Sequence, residues 1–241
     1  MNHLNYVLGA YSGALAGSFF VHIFDTFATH QFARTRSQDV LGFIKVTLKS
    51  YLPVGLWLVP ARSASFGVFS LFQPWFVALG VGYASMIVLS SVMSGMSLSV
   101  LSTPAELIKT RKQLNQSKMG VTFFELKENF VPLTCRIVPT VSMMLAGTHF
   151  IQGLLPIQNL ILATSVSAMI AAGISQVFAT PFENIRIYRI SKGDYVTPTL
   201  ALLKSLWESS FLYKGFCARA LSLGFQAAFT LSAANSAASK L

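Results

Sequence analysis

Six long apolar segments follow one another along the chain, and polar stretches separate them. About 20 mostly apolar residues suffice for a transmembrane helix. The pattern therefore predicts an all-α membrane protein with six transmembrane helices. We expect them at about 5–33, 54–73, from just after Trp75 to Gln113, 131–152, 157–188 and 213–236.

Three of the polar stretches keep a helical spacing of apolar residues. The first carries such residues at Val40, Leu41, Ile44 and Leu48. This spacing is typical of a short helix that lies on a membrane surface. We expect surface helices at 34–50, at 120–129 and around 198–209, each between the two transmembrane helices of a pair.

Small residues recur at every fourth position in the first and third predicted helices. They are Gly9, Gly13 and Gly17 in the first, and Ser91, Gly95 and Ser99 in the third. Because faces of this kind let a neighbouring helix backbone approach closely in lipid, we expect tight helix contacts at both.

The composition agrees with this pattern and excludes several classes of protein. Charged residues make up 11% of the chain, against about 25% in soluble domains. The net charge of +10 does not indicate nucleic-acid binding, because the basic residues form no stripe and do not alternate with aromatic residues. We expect no enzyme, since the chain has no hydrolase, nucleotide-binding-loop or zinc-protease motif.

Neither a cofactor nor a metal site is expected from the cysteines. Cys135 and Cys217 each fall singly within a predicted span, which favours free thiols over a disulfide or a metal site. The first residues lack the basic region of a cleavable leader, so any targeting information would be internal.

The basic residues are unequally divided among the loops. Fourteen of the 18 Lys and Arg residues lie at or between the two helices of a pair, and the loops that connect one pair to the next contain none. Under the positive-inside rule, the basic loops face the matrix or cytoplasm. Both termini would then face the opposite side.

One motif recurs at the ends of the odd-numbered predicted helices. Its complete copies have a proline, an acid two positions later and a base five positions later: Pro104, Glu106 and Lys109, then Pro181, Glu183 and Arg186. A partial copy has Asp25 as the acid, with Ile23 and Ala28 replacing the proline and the base. Since proline bends a helix, we expect the first helix to be straighter than the two with Pro104 and Pro181.

These copies, about 80 residues apart, resemble the signature of the mitochondrial carrier family, and the chain looks like a divergent and shortened member. The resemblance implies a single domain of three pseudo-threefold repeats, at about 1–73, 74–154 and 155–241. Each repeat would contain two transmembrane helices and a matrix-side surface helix. The resemblance further implies a lipid-embedded monomer in the mitochondrial inner membrane, with both termini in the intermembrane space.

In the resembled family, the acid of each odd-numbered helix pairs with the base of the next and closes the matrix side. By position, this implies two ion pairs here: Asp25 with Lys109, and Glu106 with Arg186. Glu183 would need a base at position 28, where this chain has Ala28. Gln113 occupies the position of a glutamine that braces such a pair.

On the even-numbered helices, the level at which the family contacts substrate corresponds to Arg62, Arg136 and Ser222, with Arg219 one turn away. Arginines within a span require a water-filled, ligand-binding or paired environment. With no acid expected at that level, the site would select a small anionic solute, because guanidinium groups match carboxylate and phosphate oxygens. A nucleotide is the first choice, and a carboxylate, an amino acid or a cofactor is the alternative.

The outward side lacks the ion pairs with which the family closes it. The corresponding gate positions include His149, Gln152 and Asn235. A gate without ion pairs would permit uniport as well as exchange. The incomplete first motif and this weak gate leave a second hypothesis open, a carrier-shaped scaffold that does not transport. Against the scaffold, such a protein would have little reason to keep Arg62 and Arg136 in lipid.

Overall fold

The computed structural model describes residues 3–33, 40–116 and 120–238, and the part of the chain so described consists of helices and their connecting turns. The α-helices are α1 (His3–Ala33), α2 (Val40–Pro53), α3 (Val59–Ala78), α4 (Tyr83–Gln113), α5 (Phe123–Ser142), α6 (Thr148–Leu154), α7 (Leu160–Lys192), α8 (Thr199–Glu208) and α9 (Phe216–Ala238). The predicted all-α fold is confirmed.

The prediction of three separate surface helices is wrong for two of them. α2 continues into α3 through one π-helical turn, Val54–Leu58, and α5 continues into α6 through another, Met143–Gly147. Pro53 lies directly before the first π turn. Because proline has no N–H to donate, the helix widens there instead of ending. The first surface helix, which is described from Val40 onward, and the second therefore merge with the helices that follow them.

The third predicted surface helix is confirmed as α8. After α8, the chain adopts positive φ angles at Ser210 (59°) and Gly215 (79°) before α9 begins. Left-handed residues interrupt a helix. The connection between α8 and α9 therefore stays a turn.

The long helices form a closed ring. α3 packs against α1 and α4, α5 packs against α4 and α7, and α9 packs against α7 and α1. α8 lies outside this ring on α7, and α2 packs on α4. Six helices thereby contribute side chains to one shared interior.

Four stretches are long and apolar enough to cross a membrane: Leu41–Ala78, Tyr83–Gln113, Phe123–Leu154 and Leu160–Lys192. The two halves of α1 make a fifth when they are counted as one bent span. Among the described residues, α9 does not meet the same measure of length and hydropathy. These apolar helices fit a multi-pass membrane protein.

The expectation that the first helix is the straightest is wrong. Val7–Ser18 and Val21–Ala33 of α1 meet at 53°, whereas α4 and α7 each continue as one span past their prolines. The bend follows Gly17 and Ser18, and the Ser18 hydroxyl donates to the Leu15 carbonyl at 2.9 Å. Gly/Ser pairs are a known cause of sharp bends, and a serine bonded to its own helix competes with the backbone.

The small-residue faces make the close contacts that the sequence predicts. A methyl group at Gly9 would lie 2.6 Å from the Ala233 carbonyl oxygen of α9. One at Gly95 would lie 2.9 Å from the Val138 Cα of α5. Glycine is therefore required where α1 meets α9 and where α4 meets α5.

We predict that Gly13→Ala destabilises the ring, because the new methyl group would lie 2.8 Å from the Ala233 Cβ and 2.9 Å from the Thr230 Cα. Overpacking of this kind costs about 1–3 kcal/mol. The free energy of unfolding, measured with denaturant in detergent micelles, should fall by that amount. Gly173→Ala is the matched control, because a methyl group there meets no atom within 4 Å and alanine favours helix over glycine. Equal stability of the two variants would contradict the packing described for Gly13.

Candidate functional site

A lysine links two acids near the C-terminal ends of α1 and α4. Lys109 Nζ lies 2.8 Å from Asp25 Oδ2 and 2.9 Å from Glu106 Oε2. Lys109 and Glu106 are almost fully buried. The structure therefore brings Asp25 and Lys109 together as the resemblance implied, and Lys109 also contacts the acid of its own motif.

Arg186 links α7 to α4. Its Nε and Nη2 lie 2.9 and 2.6 Å from the two carboxylate oxygens of Glu183. Its Nη2 is 3.4 Å from Glu106 Oε2, and its Nη1 donates to the Glu106 carbonyl at 3.1 Å. Glu106 and Arg186 are thus at ion-pair distance, as expected, but the shorter contacts of Arg186 are with Glu183 on its own helix.

Arg136 corrects two expectations from the sequence. Its Nη1 lies 2.6 Å from Glu183 Oε2 and its Nη2 lies 3.2 Å from Glu106 Oε1. The level of Arg136 is therefore not free of acids, and Glu183 does not lack a cation. Counting positions along a helix missed both contacts, because the long arginine side chain reaches the acids of the neighbouring helices α4 and α7.

Ala28 packs closely against Gly215 in the turn before α9. It is fully buried, and a methyl group at Gly215 would lie 3.2 Å from both its Cβ and its carbonyl oxygen. A lysine or arginine at position 28 would meet this close approach of the turn before α9. The partial first motif therefore reflects packing as well as the loss of a charge.

Gln113 braces Asp25, as the resemblance implied. Its Nε2 lies 3.1 Å from Asp25 Oδ2 and 3.2 Å from Thr26 Oγ1. The Thr29 hydroxyl lies 3.5 Å from the Gln113 side-chain oxygen. One glutamine of α4 thus holds the C-terminal half of α1.

Three acids and three bases form what we call the charge network: Asp25, Glu106, Glu183, Lys109, Arg136 and Arg186. Its formal charge is zero, because each sign occurs three times. Breaking a buried pair leaves an uncompensated charge and costs about 3–5 kcal/mol. The network therefore holds α1, α4, α5 and α7 together at this depth.

A polar cavity of about 70 Å³ borders the charge network. We call it the central cavity. Residues from all six helices of the ring line it, among them His22, Arg62, Arg136, Thr140, Arg219 and Ser222. Arg62 Nη1 is buried and has no hydrogen-bond partner, and no acid among the described residues lies within ion-pair distance of Arg62. An arginine in this state needs a ligand or water.

Arg219 is the second incompletely bonded arginine of the central cavity. Its Nη1 donates to Asn184 Oδ1 at 2.7 Å, while Nε and Nη2 are buried without a partner. The nearby Ser222 hydroxyl donates to the Val21 carbonyl at 3.0 Å. Ser222 can therefore only accept a further hydrogen bond, and the free donors on this side belong to Arg219.

A wider vestibule of about 240 Å³ lies at the end of the ring where α3 ends and α4 begins. Gln73, Tyr83, His149 and Gln152 line part of it. His149 Nε2 and the Tyr83 hydroxyl are 3.0 Å apart. Among the described residues no ion pair lies at this end, in keeping with the sequence. The side chain of Asn235 lies outside the described residues.

Two residues of the site, His22 and Asn184, are not among those predicted from the sequence. His22 lies one turn before Asp25 on the same face of α1 and lines the central cavity; its three-residue spacing from Asp25 was a signal that could have found it. Asn184 holds Arg219 and also donates to carbonyls of the turn before α9, including that of Leu212 at 2.7 Å. No sequence pattern marks that second role.

The described residues contain no cluster of His, Cys, Asp and Glu that could hold a metal ion. Cys135 is partly exposed and Cys217 is exposed, and both are free thiols. In comparisons with known proteins, no protein-family model and no curated protein sequence matches this chain.

Proposed function

We propose that this protein is an alternating-access transporter of a small anionic metabolite. The observation that carries the proposal is the pair Arg62 and Arg219, whose buried N–H groups lack partners in a polar cavity at the centre of an apolar helix ring. Burying a donor without a partner costs about 1–3 kcal/mol. A carboxylate or phosphate group would satisfy these donors, often two at a time.

The charge balance supports an anion over a cation. The charge network is neutral in itself. Arg62 and Arg219 then leave the central cavity with a positive excess. A cationic solute would add to this excess, whereas an anion would compensate it.

The cavity size bears on which anion is bound. A volume of about 70 Å³ is small against the roughly 300–1,000 Å³ of ligand pockets. It suits one phosphate or carboxylate group, and the rest of a larger solute would extend toward the vestibule. A nucleotide remains our first candidate, bound through its phosphates, with a carboxylate, an amino acid or a cofactor as the alternative.

The two ends of the ring support alternating access. The charge network closes one end with buried ion pairs, while the vestibule at the other end has the Tyr83–His149 hydrogen bond and side chains of the apolar core among its described residues. The state described here is therefore best interpreted as closed on the network side. Solutes would enter from the vestibule and leave after the network opens.

The remaining topology belongs to the same proposal. α9 completes the ring by packing on α1 and α7, which supports six membrane-crossing helices in three pseudo-threefold repeats. We place the basic loops in the matrix, both termini in the intermembrane space and the protein in the mitochondrial inner membrane, as a monomer. The positive-inside distribution of lysine and arginine supports this orientation.

Uptake into vesicles tests the proposal directly. The purified protein in liposomes should take up at least one member of a radiolabelled panel of ATP, phosphate, malate and glutamate. Arg62→Gln should reduce that uptake by about tenfold or more, because charge-assisted hydrogen bonds contribute about 1.5–3 kcal/mol. No ion pair of Arg62 is lost, so the midpoint of thermal unfolding in detergent should stay within a few degrees of wild type.

Protein-free liposomes and a Lys204→Gln variant serve as controls. Lys204 is exposed and lies 4.0 Å from Glu208 on α8, outside the ring. Uptake by the wild-type protein no faster than in protein-free liposomes, for every solute of the panel, would contradict transport. Equal uptake by Arg62→Gln and the wild-type protein would show that Arg62 does not bind the solute.

Arg136→Gln should behave differently from Arg62→Gln, because Arg136 contacts two buried acids. Each acid keeps another cation, Lys109 or Arg186, so we expect a cost near the low end for a buried pair, about 3 kcal/mol. Denaturant unfolding in micelles measures it. Wild-type stability of this variant would contradict the charge network.

A further inference from the structure

His22 is a buried titratable residue that the proposed function leaves unused. It is 2% exposed and lines the central cavity together with Arg62 and Arg219. Its ring lies 5.8 Å from that of Tyr51 on α2, at a tilted angle. A titratable group that is both inside a polar cavity and shielded from bulk water can exchange protons only through that cavity.

A hydrogen bond to α2 orients the His22 ring. Nε2 lies 2.8 Å from the Ser50 hydroxyl oxygen. That hydroxyl donates its own proton to backbone carbonyls of α2, at 2.8 Å to Val46 and 3.1 Å to Thr47. When that proton points to either carbonyl, Ser50 accepts from Nε2–H. A further proton would go to Nδ1, and the bond to Ser50 would remain.

Charged and titratable groups surround His22 on every side of the central cavity. They are Asp25 on α1, Tyr51 on α2, Arg62 on α3, Lys109 and Glu106 on α4, Arg136 on α5, Glu183 on α7 and Arg219 on α9. With Arg186 included, cations outnumber acids by two. An imidazolium would add to this excess when the cavity is empty, whereas a bound anion would reduce or cancel it.

We propose that His22 is a proton-binding site that couples anion transport to proton co-transport. The proton comes from the solution on the vestibule side, binds His22 Nδ1 together with the anion, and is released on the other side when the anion leaves. This inference rests on the proposed transport function. Anion and proton strengthen each other's binding, as linkage requires.

The coupling has a defined sign with pH. Lowering the pH favours the imidazolium and therefore anion binding, so the apparent affinity for the anion should rise. Because one proton is linked to binding, the apparent affinity for the anion changes by at most about tenfold per pH unit. The anion's own protonation follows pH too, and a variant without the imidazole separates the two effects.

The test records two signals from the same liposomes. ATP, phosphate and malate are added one at a time outside, with a pH-sensitive dye inside, and radiolabel uptake is measured alongside internal pH. We expect wild-type uptake to acidify the lumen. His22→Gln keeps an N–H donor for Ser50 but cannot take up a proton, so its uptake should proceed without acidification and at the rate that the wild type shows at alkaline pH.

His30→Gln is the matched control on the same helix, because the His30 ring packs edge-on against Phe43 instead of lining the cavity. This variant should acidify the lumen as the wild type does. Uptake by the wild-type protein without acidification of the lumen would contradict the proton coupling but not the transport proposal. Acidification of the lumen by His22→Gln would also contradict the coupling. The measurement on the wild-type protein tests the proton coupling even when His22→Gln does not fold. Absence of uptake for these three solutes and for glutamate would overturn the transport proposal and the coupling with it.

Discussion

The charge network is the constraint on which the rest of the structure depends. Four of its six side chains, Glu106, Lys109, Glu183 and Arg186, are almost fully buried, and Asp25 and Arg136 are 18% exposed. Each charge is costly to remove from water and tolerable only when it is paired. Since the acids come from α1, α4 and α7, satisfying them forces these three helices to converge. At the opposite end, no ion pair among the described residues borders the vestibule.

The neutrality of this network determines what the central cavity can hold. If Arg136 were an uncompensated cation, the cavity would carry three arginines with free donors. Its contacts with Glu106 and Glu183 remove it from that set, which leaves Arg62 and Arg219. The positive excess is thus smaller than the arginine count suggests. It is also divided between α3 and α9, on two sides of the cavity, and a solute with two separate anionic oxygens would meet both.

Much of this arrangement could be predicted from the sequence, and the failures have physical causes. The recurring acids and bases correctly placed Asp25 near Lys109 and Glu106 near Arg186, because a repeated motif on repeated helices brings equivalent positions together. The glycines of α1 and α4 correctly marked the tight helix contacts. The bend did not follow the prolines: α1 bends after Gly17 and Ser18, whereas α4 and α7 continue past Pro104 and Pro181.

Contacts made by long side chains were the least predictable part of the site. The register along a helix gives the height of a Cα atom, whereas a guanidinium group lies several bonds away and its direction depends on packing. Arg136 therefore appeared to belong to the substrate level alone. Likewise, Ala28 was interpreted as a lost charge, although its contact with Gly215 is a packing constraint that only the folded chain reveals.

The position of Arg136 has a consequence for how binding and opening are connected. Arg136 lines the central cavity and also holds Glu106 and Glu183, so an anion that contacts it competes with both acids for the same guanidinium group. Any such contact weakens the links among α4, α5 and α7. In the proposed transport cycle, a solute that binds this way would stabilise a state with an open network relative to the closed state, because a ligand shifts an equilibrium only by its difference in affinity for the two states. Arg62 lacks such contacts, and can contribute affinity without affecting closure.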